Sequence, residues 1–328
     1  MSETLPRPSH PNALVTSRRR LLAGGAALAL TGAAGVRPGA AQGAKTMRVG
    51  VHKGVVFVPS LLLQSILGTA WNVELSYFGS PADMANAIVS RSIDVGYTGA
   101  TIAAIARSKG QPIIIAATSA GKGTAIIVGA KTDIHKLEDL KGKRIGQVVG
   151  GIQDVQFREE LRLVGMTMKD VEPIAIAFSD LPAALQAGSI DAFCGGEPAS
   201  TKTIEDGYGR LLKHPYDTPV GTINAGILAR ETLVQENPEL IKAFVGAHRE
   251  AVTRLTGNLD EAAELAFKNW GFALVTARKA LDNVDLRWVI DDAFMSDLAN
   301  YIARMKDLGM IAEVPDINKL VVRDFAKA

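Results

Sequence analysis

Short runs in which alternate residues are apolar follow one another along this chain. They are separated by stretches whose apolar residues recur every three or four positions, so the two periods are those of strands and helices. From residue 47 the order is a strand over 47–51, a turn at Lys53 and Gly54, a helix over 58–67 and an alternating strand over 72–77. The next helix announces its own start after Gly79. Ser80 suits the N-cap, Pro81 the first helical position and Asp83 the third. Met84 and Ile88, four apart, share one face, and the helix is predicted to end near Ser90. A strand over 93–97 follows, Thr98 and Gly99 open another helix, and Pro112 precedes a strand over 113–117. Strand–helix alternation of this kind predicts an α/β fold with a largely parallel sheet.

The pattern then recurs. Arg144, Ile145 and Gly146 echo Arg48, Val49 and Gly50, glycines follow at Gly150 and Gly151, a helix is predicted over 153–164 and a strand over 174–177. Asp180, Ala184, Ser189, Ile190 and Asp191 stand 97 residues after Asp83, Ala87, Ser92, Ile93 and Asp94. Identities at one fixed offset, in matching element order, predict two lobes of similar fold. The chain is expected to leave the second lobe over 219–224, with 222–229 a strand that rejoins the first sheet. Asn237 with Pro238, and Asn258, start two further helices, and 285–308 reads as helical.

Composition narrows the class. With 47% hydrophobic and 21% charged residues, the chain is a globular protein able to bury a large core, not a disordered one. Its net charge of +2 is set by the first 44 residues, which hold five arginines and one acid; the remainder carries −2. No basic block is interleaved with aromatics, so nucleic acid is not an expected partner. Residues 17–44 combine Arg18, Arg19 and Arg20, an apolar run over 21–36 and a small-residue zone. That is the layout of a secretory signal of twin-arginine type, with cleavage expected between Ala41 and Ala44 and a periplasmic product. The single cysteine, Cys194, permits no internal disulfide or cysteine-based zinc site and reads as a small buried side chain. His10, His135, His214 and His248 show no metal spacing, and His248 reads as a helix-surface residue. Neither a cofactor nor a metal is expected.

Six segments carry a family resemblance: RVGV at 48–51, SIDVGYTG at 92–99, DLKGKRIG at 139–146, AGSIDA at 187–192, GEP at 196–198 and NPELIKAF at 237–244. In their order and spacing the chain resembles the nitrate, sulfonate and taurine type of substrate-binding protein of ABC importers, a group that also holds thiamine-precursor-binding proteins. The resemblance implies a two-lobed periplasmic-binding fold of type II, two sheets flanked by helices and joined by two hinge crossovers near 128–131 and 219–224. Lobe I would comprise 45–130 and 223–328, and lobe II 131–222. It also implies a monomeric receptor that closes on a small solute and hands it to a permease and ATPase, touching the membrane only through them.

In open α/β sheets, ligands bind beyond the C-terminal strand ends, where helix N-termini gather. The residues expected there are Lys53, Gly54, Ser80, Thr98, Gly99, Gly150, Gly151, Gln153 and Glu197. Glycines admit close approach of the backbone, and free N–H groups favour an anion or an acceptor oxygen. Lys53 would neutralise an anionic group, Ser80 and Thr98 would offer hydroxyls and Gln153 an amide. Glu197 would pair with an amine or amidine, or lock the lobes. Strand alternation points His52 away from its neighbour Lys53. The solute is thus a small anion or zwitterion such as a sulfonate, nitrate or taurine, with a pyrimidine or other nitrogen heterocycle as the alternative. An extracytoplasmic sensor or a receptor for another importer class fits the same residues. No nucleophile elbow, His-Glu-x-x-His or P-loop is present, and the cysteine-rich loop of pyrimidine-synthesising relatives is absent, so an enzyme is not expected.

Overall fold

The repeat in the sequence becomes two sheets. The structure, a computed structural model, describes residues 44–327; the expected signal segment lies outside the described residues apart from Ala44. The strands are β1 (Lys45–Val51), β2 (Trp71–Tyr77), β3 (Val95–Gly99), β4 (Ile113–Lys122), β5 (Thr124–Gly129), β6 (Arg144–Gln147), β7 (Glu172–Ala175), β8 (Ala192–Gly196), β9 (Gly209–Lys213), β10 (Ile223–Arg230) and β11 (Val284–Leu286). The first sheet runs β11-β4-β10-β3-β1-β2 and the second β7-β6-β8-β5-β9. Each has the same plan. Three parallel strands, β2-β1-β3 or β7-β6-β8, are followed by an antiparallel strand, β10 or β5, that has come across from the other half.

The two halves also share a clamp. The Arg48 side chain and backbone N–H grip the Asp94 carboxylate at 2.8–3.1 Å, and the Asp94 N–H donates back to the Arg48 carbonyl at 2.8 Å. Arg144 and Asp191 repeat these contacts at 2.7–3.1 Å, with the return bond again 2.8 Å. The bidentate hydrogen bonds draw the Asp191 carboxyl below its ordinary range. Each clamp ties a parallel strand, at Arg48 in the middle of β1 or Arg144 at the start of β6, to the turn entering its neighbour. Gly50 and Gly146 repeat as well. A Cβ there would meet Ile93 at 2.5 Å or Ile190 at 2.7 Å, so both strands need glycine where the isoleucine of the next turn packs.

Burial follows the strand period. Along β5, Ile126 and Val128 enter one apolar cluster with Phe157 and Leu161, while Ala125 and Ile127 enter another with Leu181 and Phe193 on the opposite face. Strands β4 and β10 are buried along nearly their whole length, the polar Thr118, Ser119, Asn224 and Arg230 included. The helix Ile152–Leu163 joins the halves, since Ile152 and Val155 belong to the core of the first sheet and Phe157 to the second.

Several boundaries differ from the sequence reading. The first crossover lies at Lys122 and Gly123, not at 128–131, because β5 pairs with β8 and β9 in the second sheet. Residues 113–129 are mostly apolar, broken by Thr118 and Ser119 as well as over 122–124, so the pattern hid the change of sheet. Lys122 and Gly123 take left-handed φ values of 58° and 74°, which make the turn. The second crossover spans 214–222, close to the expected 219–224. The first helix is a 3-10 segment, Val55–Leu62, with Pro59 inside it and therefore one N–H short, followed by a short α-helix at Leu63–Leu67. The expected helix over 285–308 begins only at Asp292, capped by Asp291, because Val284–Leu286 forms an edge strand on β4. A helix at Leu274–Asp282 and strand β9 were not expected.

Candidate functional site

A cavity of about 730 Å³ opens where the strand ends of both sheets meet. Its wall takes Lys53 and Gly54 beyond β1, Thr98 and Gly99 at the end of β3, Gly151 and Gln153 at the start of the helix Ile152–Leu163, and Glu197 beyond β8. The halves approach closely here. A Cβ on Gly99 would lie 3.0 Å from the Ile152 side chain, and one on Gly54 3.5 Å from the Glu197 carbonyl.

Ser80 and Gly150 do not line this cavity but an adjoining groove of about 600 Å³. Both are occupied locally. Ser80 Oγ accepts from the Asp83 N–H at 3.1 Å and donates to the Asp83 carboxylate at 2.7 Å. The Gly150 N–H donates to Asp154 at 2.9 Å.

Among the described helices of nine or more residues, capping sorts the walls. The helices Pro81–Val89, Pro238–Thr256, Leu259–Trp270 and Asp292–Asp307 are capped by the side chains of Ser80, Asn237, Asn258 and Asp291. Ala100–Ser108, Ile152–Leu163 and Leu274–Asp282 have no side-chain cap, and their N-cap residues Gly99, Gly151 and Ala273 all line the cavity. Three sets of orphan N–H groups, each at the positive end of a helix dipole, therefore converge on one space. Thr101, in the first turn of Ala100–Ser108, lines it too. Its hydroxyl is buried without a hydrogen-bond partner.

His52 faces the cavity although strand alternation pointed it away, because β1 ends at Val51 and the alternation stops there. Its Nδ1 lies 2.8 Å from the Phe78 carbonyl and its Nε2 3.1 Å from Thr98 Oγ1. Burial lowers its pKa below the ordinary histidine value, and the bond to Phe78 opposes that. Lys53 is exposed, with its ammonium 5.5 Å from the centre of the Tyr77 ring.

Glu197 is 6% exposed and spans the two halves. One oxygen accepts from Asn283 Nδ2, beside β11 of the first sheet, at 2.8 Å. The other accepts from the Thr201 N–H at 3.1 Å, and the Glu197 N–H donates to the Gly123 carbonyl in the crossover at 3.0 Å. Burial raises its pKa, and these hydrogen bonds partly offset the rise. Gln153 is also 6% exposed and lies against Gly196, whose Cβ would stand 3.3 Å from Gln153 Nε2. Cys194 is buried and outside the wall.

The sequence reading missed Thr101, the start of Leu274–Asp282 and the phenylalanines Phe57, Phe78, Phe178 and Phe272 in the wall. The available signal was scarcity. In a chain only 5% aromatic, Phe78 and Phe178, close behind the strands β2 and β7, stand out. His248, expected on a helix surface, is fully buried between Tyr97 and the Thr118 carbonyl. No helix among the described residues is long and apolar enough to cross a membrane.

Comparison with known proteins follows the same lines. A putative aliphatic sulfonates-binding protein of Escherichia coli (strain K12) is 24% identical over 244 residues, 73% of this chain and 76% of that one. The taurine-binding periplasmic protein of the same strain is 28% identical over 194 residues, 57% and 59% of the two chains. The alkanesulfonate-binding protein SsuA from Xanthomonas axonopodis pv. citri, solved bound to MOPS, superposes with a TM-score of 0.76 at 19% identity, covering 86% of this chain and all of that one. The two mixed sheets flanked by helices are thus the periplasmic-binding fold. A family profile described as NMT1/THI5 like matches residues 72–262, more than half of the sequence, and the chain belongs to that family.

Proposed function

We propose that this protein is an extracytoplasmic solute receptor, exported by its N-terminal signal, that grips a small organic solute between its two sheets and delivers it to the permease and ATPase of an ABC importer. The observation that carries this reading is the convergence of three uncapped helix N-termini on one cavity, beside four capped helices whose caps lie outside it. Orphan N–H groups from both sheets favour an anionic or acceptor-bearing head group, which bridges the halves when bound. The sulfonate- and taurine-binding relatives support a solute of that kind. Phe57, Phe78, Phe178 and Phe272 supply apolar walls, so the solute carries an organic body larger than nitrate, and a flat nitrogen heterocycle is the second reading.

The receptor works as a monomer and releases its solute unaltered. The half-buried His52 and the buried Glu197, titratable groups in the wall, are held by Phe78, Thr98, Thr201 and Asn283 in structural hydrogen bonds. The crossovers at Lys122–Gly123 and 214–222 act as hinges, and Glu197 latches the halves. A thermal-shift screen against organic sulfonates, phosphonates, taurine, nitrate and pyrimidines tests this. A rise in Tm with at least one, without its chemical conversion, is expected. Turnover of a tight binder contradicts it.

A further inference from the structure

The hydrogen-bond directions around His52 are fixed by one atom that has no choice. The Phe78 carbonyl can only accept, so His52 Nδ1, 2.8 Å away, carries the proton. In the neutral ring Nε2 is then a bare lone pair, and Thr98 Oγ1, 3.1 Å away, must donate to it. Desolvation of the ring disfavours its charged form. Thr98 is fully buried, and its hydroxyl has no other side-chain partner. Thr98 belongs to the cavity wall, and having given its hydrogen to His52 it keeps only lone pairs for a group that reaches it from there. Around it the wall offers donors: the free N–H groups of the helix Ala100–Ser108 behind Gly99, those of Ile152–Leu163 opposite, and the unpartnered Thr101 hydroxyl.

We propose that His52 is a specificity-determining residue that turns Thr98 into an acceptor, so that the site selects a head group carrying both acceptor oxygens and a hydrogen-bond donor of its own. A monoprotonated phosphonate, or an N–H-bearing amide or lactam, satisfies both sets. A fully ionised sulfonate or nitrate leaves Thr98 facing an acceptor, an unpaired buried contact. The inference rests on the receptor reading and narrows the class of solute it admits.

Phenylphosphonate and benzenesulfonate at about pH 6 make a matched pair, because the phosphonate monoanion and the sulfonate carry the same charge and differ in the P–O–H proton. Calorimetric titration of the purified protein is expected to give about tenfold tighter binding of the phosphonate. In His52→Phe, where Thr98 regains a free hydrogen, and in Thr98→Val, where the acceptor is gone, the ratio falls to about threefold or less. Long-range ¹⁵N–¹H spectra read the ring directly, without ligand or variant, and the Nδ1–H tautomer of His52 is expected. An Nε2–H tautomer overturns the inference, as does a wild-type protein that binds both equally or prefers the sulfonate; in the latter two cases the receptor reading stands. Binding of neither compound overturns the inference alone, and the receptor reading is then judged by the wider thermal-shift screen.

Discussion

At the scale of single residues the site depends on which hydrogen bonds are already taken. Ser80 was legible as a cap and as a ligand group alike, and the Asp83 atoms at 2.7 and 3.1 Å show it in the capping role. His52 was misread because alternation holds only inside a strand, and β1 stops one residue before it. Replacing Thr98 by Val is expected to weaken solute binding about tenfold with the fold intact, since it strips one buried polar group. Gly151→Asp is expected to abolish binding, because it sets a carboxylate at an uncapped helix start, with its Cβ 3.2 Å from the Val148 carbonyl. Both are checked by titration alongside circular dichroism.

A second residue-scale prediction concerns pH. His248 lies between the Tyr97 hydroxyl at 2.9 Å and the Thr118 carbonyl at 2.8 Å, and burial lowers its pKa to about 4. The unfolded chain takes up this proton near pH 6.5, while the folded chain resists until about pH 4. Stability from the neutral ring is therefore complete above pH 6.5 and is lost as the pH falls toward 4. About 2 kcal/mol should disappear between pH 7 and pH 5. Urea denaturation at the two pH values measures it, and His248→Gln should flatten that part of the profile.

Among elements, caps and clamps do the sorting. Asn237, Asn258, Ser80 and Pro81 could be read from the sequence because a capping side chain sits next to its own helix. The start of Leu274–Asp282 could not, because it has no cap to read, and that same lack suits it to the cavity wall. The Arg–Asp clamps were visible only as matched identities. Their meaning emerged when Asp94 and Asp191 each proved to bind a backbone N–H and a guanidinium together. Asp94→Ala and Asp191→Ala should each cost about 1–3 kcal/mol of stability by leaving those donors unpaired, read from chemical denaturation. The Asp191 loss should be the smaller, since that carboxylate side chain is 23% exposed against 7% for Asp94. The Glu197 latch acts between elements. Glu197→Gln turns one of its two acceptor oxygens into a donor facing Asn283 or Thr201. It should weaken solute binding severalfold while leaving each sheet intact, as measured by titration and hydrogen exchange.

For the molecule as a whole, the sequence repeat carried most of the architecture. The 97-residue offset foretold two sheets of one plan, and the strand-end glycines foretold where they would meet. The first crossover was illegible because strands β4 and β5 share one buried, mostly apolar run, and periodicity does not register a strand that changes sheets. The aromatic wall was illegible because Phe57, Phe178 and Phe272 come from distant segments that only the fold brings together. The account stands on a solute held at once by uncapped helix starts from both halves. Hydrogen–deuterium exchange with and without saturating phenylphosphonate tests that most directly. Simultaneous protection of the amides at 100–102 and 152–153 is the predicted result. Protection confined to one of these segments, or lying elsewhere while both exchange freely, would contradict it.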